Sequence, residues 1–135
     1  MPPAPVELVS AALDRLLDGV RAGDGLGVLR AGPRAVGMGV LVDQRAWVFP
    51  HWRAVSKVMV HPAHQGGGAG TLLMTGLHDL ARTLGLEQLR LTTRDGEGLE
   101  HFYGRLGYTV VGRHPGAIRL GPDEDRDELL LVTRL

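Results

Sequence analysis

The sequence predicts an α/β fold, an α+β mixed sheet carrying helices on both faces, in one domain spanning residues 1–135. Three observations lead there. Short apolar, β-branched runs alternate with stretches of helical period. A glycine-rich loop stands between one such strand and the helix after it. The chain's 135 residues, 44% hydrophobic and 22% charged, are enough for one buried core and too few for two ordinary domains.

Taken in order, Val6, Val9, Leu13, Leu16, Leu17 and Val20 recur at steps of three and four, and Gly23 follows, so an amphipathic helix is expected over Val6 to Val20. Leu26 to Arg30 and Ala35 to Val42 flank Ala31-Gly32-Pro33 and read as a hairpin. Asp43 to Arg53, which contains Trp47, Pro50, His51 and Trp52, shows no period and reads as a loop. Val55 to Val60 is a strand ended by Pro62. A helix runs from about Gly70 to Leu84, with Leu73, Leu77, Leu80 and Leu84 on one stripe and Gly85 closing it. Leu89 to Thr93 is a strand, Leu99 to Leu106 a short helix capped by Gly107, and Tyr108 to Arg113 and Leu129 to Arg134 are further strands. The acidic run Asp123 to Glu128, after Gly121-Pro122, reads as a solvated hairpin tip.

Composition removes several function classes. Fifteen basic residues balance fifteen acidic ones, so no global field is available to hold a nucleic acid, and no nucleic-acid partner is expected. The absence of cysteine rules out a thiolate nucleophile, a disulfide framework and a thiolate metal site. His61 and His64 are three apart but have no third ligand at metal spacing, so no metal is expected. Met-Pro-Pro-Ala-Pro at the start lacks a basic n-region and an apolar h-region, and no run of about 18 apolar residues occurs, so a cytoplasmic chain without a membrane partner is expected.

The chemistry concentrates in His61-Pro62-Ala63-His64-Gln65-Gly66-Gly67-Gly68-Ala69-Gly70. Between a strand and a helix, unpaired backbone N–H groups and the positive helix end favour an anion, and glycines let the backbone approach it without a Cβ in the way. Spacing sets two phosphate motifs aside. Gly70 is followed by Thr71-Leu72 rather than Lys-Ser/Thr, so this is no Walker loop. Gly66-x-Gly68 and Gly68-x-Gly70 lack the third glycine of a dinucleotide fingerprint.

Val58-Met59-Val60-His61-Pro62 followed by Gln65-x-x-Gly68-x-Gly70 resembles the acetyl-CoA signature of the GNAT superfamily of N-acetyltransferases. Phe102-Tyr103-Gly104-Arg105-Leu106-Gly107-Tyr108 resembles the second signature of the same family, Phe-Tyr-x-x-x-Gly-Phe/Tyr. The likeness spans about Gly25 to the C-terminus and is most specific from Lys57 to Tyr108. It implies a twisted, mostly antiparallel sheet splayed at the cofactor strand, with the N-terminal part abbreviated. The pantetheine arm of acetyl-CoA would lie along that strand like an added one, bonded by the backbone of Val58, Met59 and Val60. The pyrophosphate would take N–H groups from Gln65, Gly66, Gly67, Gly68, Ala69, Gly70 and Thr71.

The resemblance implies transfer of acetyl from acetyl-CoA to a primary amine, on a small molecule or a peptide, by direct attack. Tyr103 matches the family's acid, the phenol that protonates the leaving thiolate. The usual glutamate base is missing, since Ala54 and Ser56 stand where carboxylates often sit. His51, His114 or a water held by backbone are left to take the amine's proton. Gly66 and Gly67 replace the frequent arginine of the loop, and Gly96 and Leu99 replace an asparagine and an alanine before Tyr103. The missing base and shortened N-terminal part support a second reading, a CoA-binding module without turnover that acts as sensor or partner subunit. The short N-terminal part also predicts a homodimer that covers the exposed surface.

Overall fold

The computed structural model describes residues 25–135; the helix expected over Val6 to Val20 lies outside the described residues. Along the chain come β1 (Gly25–Ala31), β2 (Arg34–Val42), β3 (Trp52–Val60), a 3₁₀ turn (Pro62–His64), α1 (Ala69–Thr83), β4 (Gln88–Arg94), α2 (Leu99–Gly104), β5 (Thr109–Gly121) and β6 (Glu124–Arg134). The strands form one sheet in the order β1-β2-β3-β4-β6-β5. Every neighbouring pair is antiparallel except β3 and β4, which are parallel and joined through α1. The result is a mixed α/β fold.

Both helical crossovers, β3-α1-β4 and β4-α2-β5, advance the same way across the sheet, so right-handed connections place both helices on one face. The core agrees. Leu73, Met74, Leu77 and Ala81 of α1 share a cluster with Leu41, Val55, Leu89, Leu91, Leu129 and Leu131 of the sheet, and Phe102, Tyr103 and Leu106 from the α2 segment pack against it. Met38 and Val40, with Leu26, Val42 and Met59, form a second, smaller cluster. The 3.6-residue period of α1 therefore explains its burial, although Leu84 at the end of the expected stripe is 46% exposed.

Two strand glycines have a packing reason. Gly27 and Gly39 face each other across β1 and β2, and a Cβ added to either would stand 2.6 Å from a Leu77 methyl. The bare backbone is the socket into which α1 seats, so these glycines set how closely the helix approaches the sheet.

Two sequence expectations change here. β3 begins at Trp52, so the loop after Asp43 is shorter than its irregular pattern implied. The acidic run Asp123 to Glu128 is not a solvated tip: the turn is confined to Pro122 and Asp123, and Glu124 onward lies in β6, paired with β5. Charge complementarity explains the longer arm. Arg119 donates to both carboxylate oxygens of Asp125, at 2.7 and 2.9 Å. Arg113 bridges Asp95 and Asp127 at 2.7 and 2.6 Å. Alternating opposite charges across a ladder carry a strand that apolar periodicity does not reveal.

Candidate active site

The parallel contact between β3 and β4 is short. Only Trp52, Arg53 and Ala54 pair, with Gln88, Leu89 and Arg90, although β3 continues to Val60 and β4 to Arg94. Beyond Ala54 the strands part, and a cleft of about 300 Å³ opens between them, lined by Val55, Ser56, Lys57, Val58, Leu91, Thr92 and Tyr103. β3 therefore leaves part of its backbone without a strand partner on that side, the arrangement that accepts an extended amide-bearing chain as an added strand.

A bulge re-aims β3 where the cleft forms. Val40 pairs with Ser56 and Met38 with Met59, so Gly39 alone opposes Lys57 and Val58. Val55 belongs to the main core and Val58 and Val60 pack against it, while Met59 packs on the other cluster. The step from Val55 to Val58 holds one residue more than strict alternation allows, which is the signature of a bulge. Lys57 adopts φ 56°, a left-handed conformation disfavoured for a side chain with a Cβ.

At the open end of β3 the chain enters the glycine loop. His61 N–H donates to Val36 O at 2.6 Å, and its Nδ1 accepts from Ala63 N–H at 3.1 Å, capping the 3₁₀ turn. Gln65 Nε2 donates back to Val60 O at 3.0 Å, tying the loop to the strand. Gly66 and Gly68 take φ of 86° and 84°, values that glycine alone adopts readily, and the space where a Cβ would stand at Gly66, Gly67 or Gly68 is open. Gly68 is the N-cap of α1 with no side-chain cap, and the helix's own bonding starts with Leu72 N–H to Gly68 O. The N–H groups of Ala69, Gly70 and Thr71 precede it and have no acceptor inside the helix. A positive helix end, free donors and an open, Cβ-free approach fit a pyrophosphate.

The second signature has a local geometry that explains its spacing. Tyr108 N–H donates to Tyr103 O at 3.1 Å and Gly107 N–H to Gly104 O at 3.1 Å, with Gly107 at φ 100°. This is a Schellman ending, which brings the side chains at its two ends together: the rings of Tyr103 and Tyr108 meet edge to face at 5.6 Å. Phe102 stands against Tyr103 at 5.0 Å, and a Cβ at Gly70 would lie 3.3 Å from the Phe102 ring. The two sequence motifs therefore touch.

Tyr103 is half-buried on the cleft wall, and its hydroxyl has no hydrogen-bond partner among the described residues. Burial pushes its pKa up, so it remains a phenol at neutral pH, the state that can give a proton. Behind it, Tyr108 is pushed up further by burial and by Tyr103. Its hydroxyl shares a 2.9 Å hydrogen bond with Nε2 of His78, a histidine that burial, and secondarily Arg82, holds below its ordinary range.

The structure does not bring every candidate to the cleft. His51 precedes β3 at its paired end, where its carbonyl accepts from Glu87 and Gln88 N–H at 2.8 and 3.2 Å, so as a base at the cleft it is set aside. Its sequence proximity to the cleft strand ran in the wrong direction, since the cleft opens toward the other end. His114 lies on β5, separated from β4 by β6. Met59 and Val60 continue β3 beyond the cleft lining, paired with Met38 and Gly37. Ser56, one of the two positions where a base was looked for, does line the cleft; Lys57, Leu91 and Thr92 line it without having been singled out, because a bulge and the parting of two strands are properties of pairing. His78 was missed as well. Its place on the apolar face of α1, at Met74 plus four, is the signal that could have found it.

Among the described residues, no helix is long and apolar enough to cross a membrane. The solved structures that the fold resembles share this architecture. An acetyltransferase from Salmonella typhimurium, solved with its cofactor acetyl-CoA, is 25% identical, with a TM-score of 0.78 over 93% of this chain and 73% of that one. A ribosomal-protein-alanine N-acetyltransferase from Brucella melitensis is 22% identical, with a TM-score of 0.78 over 93% and 78%. An acetyltransferase of GNAT family from Streptococcus pneumoniae is 16% identical, with a TM-score of 0.73; it covers 80% of this chain, which spans 65% of its length. The family model for the acetyltransferase (GNAT) family matches residues 3–108, well over half of the sequence, and includes the split strand pair, the glycine loop and the Tyr103 turn. The chain belongs to the GNAT acetyltransferase family.

Proposed function

We propose that the chain transfers the acetyl group of acetyl-CoA to a primary amine by direct attack. The observation that carries this reading is the parting of β3 from β4 after three residue pairs, with a protonated phenol on the wall and a glycine-rich helix start beyond the open end. Acetyl-CoA supplies the activated acyl group. In this reading, backbone groups of β3 from Val58 to Val60 hold the pantetheine amides and polarise the thioester carbonyl. The N–H groups from Gly66 to Thr71 hold the pyrophosphate, while that of Gln65 donates to Pro62 O at 3.4 Å and closes the 3₁₀ turn. The acquisition of acetyl-CoA by the Salmonella protein, at 25% identity, supports the ligand.

As the amine adds, negative charge builds on the carbonyl oxygen; when that charge returns and the C–S bond breaks, the Tyr103 phenol donates its proton to the departing sulfur. Among the described residues no carboxylate or histidine lines the cleft, so the amine's proton leaves through a water held by the β3 backbone. The same observation favours a second reading, a CoA-binding module without turnover. Thiol release from acetyl-CoA, measured against a panel of small amines and peptide N-termini, separates them. Release that depends on an amine supports transfer, whereas thermal stabilisation by acetyl-CoA with no release for any amine establishes the binding module.

A further inference from the structure

The cleft holds a nucleophile that this mechanism does not use. Lys57 is the only lysine in the chain. It is exposed and lines the cleft with Ser56, Val58 and Tyr103. Among the described residues no carboxylate pairs with its ammonium. It is also the extra residue of the β3 bulge, held at φ 56°, where glycine or asparagine would be less strained. An amine on a flexible four-carbon stem thus starts one residue from Val58, the first of the backbone positions read as holding the thioester.

We propose that Lys57 is an acetyl acceptor in cis, so that the chain acetylates itself at this residue when acetyl-CoA occupies the cleft and no other amine does. The proposal rests on the acetyl-CoA reading of the cleft. The step balances without any further reactant. The Lys57 ammonium loses a proton to solvent, its Nζ attacks the thioester carbonyl carbon and gives a second proton to water, the C–S bond breaks, and the electron pair leaves with sulfur. Tyr103 protonates that thiolate and recovers its proton from water. The products are an amide at Lys57, coenzyme A thiol and one released proton. The uncharged acetyl-lysine then stands inside the cleft, which makes the reaction self-limiting.

The test incubates the purified chain with acetyl-CoA and no amine, and follows the intact mass with peptide mapping; thermal stabilisation by acetyl-CoA is measured in parallel. The expected result is one acetyl group per chain, on Lys57, gained at a rate independent of protein concentration and rising with pH. Lys57→Arg keeps the charge and takes up no acetyl at that position. Gly68→Glu, which blocks the pyrophosphate site, slows the reaction at least about tenfold, as does Tyr103→Phe. A chain that acetyl-CoA stabilises but that stays unmodified at Lys57 overturns the proposal and leaves the binding reading standing. Equal rates in wild type and Gly68→Glu overturn it as well, since the lysine then reacts as any exposed amine does. Absence of stabilisation by acetyl-CoA removes the reading of the cleft and the proposal together.

Discussion

The two ends of β3 share one strand and one neighbour yet behave oppositely. At the start, Trp52 to Ala54 pair with Gln88 to Arg90, the His51 carbonyl ties down the N–H groups of Glu87 and Gln88, and the Arg90 guanidinium lies 4.4 Å over the Trp52 ring. At the finish, a bulge turns the strand, β4 diverges and the cleft opens. Strand pairing with β4 is made at one end and absent at the other. This site is made by omission: the backbone left unpaired by a truncated parallel ladder is what can bind.

Mutations can break this contrast, and the largest effect belongs to the open end. Tyr103→Phe is expected to lower kcat by about 10²- to 10⁴-fold while leaving acetyl-CoA affinity nearly intact, because the phenol gains little from a neutral thioester and much from a departing thiolate. Steady-state kinetics with chemistry rate-limiting checks this, and a kcat within about threefold of wild type would return Tyr103 to a packing role.

Leu77→Ala should follow, destabilising the fold by about 2–5 kcal/mol in denaturant unfolding. Its methyls fill the socket over Gly27 and Gly39, and no neighbouring side chain can grow into a site whose floor is bare backbone.

Gly68→Glu should remove the stabilisation of about 2.7 kcal/mol expected from acetyl-CoA at about 100 times its dissociation constant. The substitution places negative charge and bulk where the helix N-terminus is open, and it forces a side chain into φ 84°. A preserved melting shift in the variant would disprove the pyrophosphate assignment.

The closed end should respond weakly. Arg90→Ala is expected to lower stability by about 0.5–1 kcal/mol through loss of the stack on Trp52, with the acetyl-CoA melting shift unchanged. A lost shift would show that the paired end takes part in binding.

A pH titration probes the layer behind the cleft. His78 has a folded pKa below its ordinary 6.5, so below that pH the unfolded chain takes up a proton more readily than the folded one. Its contribution is fully present above 6.5 and is lost as pH falls from there toward the folded value. Wild type should therefore lose melting temperature below about pH 6.5 more steeply than His78→Gln, and identical slopes would remove His78 from the account.

Much of this was legible in the sequence, for identifiable reasons. The helix carrying Leu73 and Leu77 and the strand Val55 to Val60 follow from periodicity, and Gly66, Gly68 and Gly107 mark positions where φ is positive. The Tyr103 to Tyr108 spacing is likewise local, because one helix ending fixes it. What stayed hidden depends on partners distant in sequence. The bulge at Lys57 is visible only against Gly39, the β6 extension only against Arg113 and Arg119, and His51 was misplaced because nothing local tells which end of a parallel pair will separate.

The three-residue contact between β3 and β4 has a mechanical consequence. It stitches together two otherwise self-sufficient antiparallel blocks, β1-β2-β3 and β4-β6-β5, so the sheet resembles two rigid leaves sewn along a seam only three stitches long. In each leaf the amides are secured by long registers within it, and the leaves owe their relative pose to that seam and to the helices spanning it. A ligand lying in the gap and bonded to one leaf while pressed by the other would act as a further row of stitches. Amide exchange at Trp52 to Ala54 should then slow when acetyl-CoA binds, although these residues lie at the far end from the glycine loop.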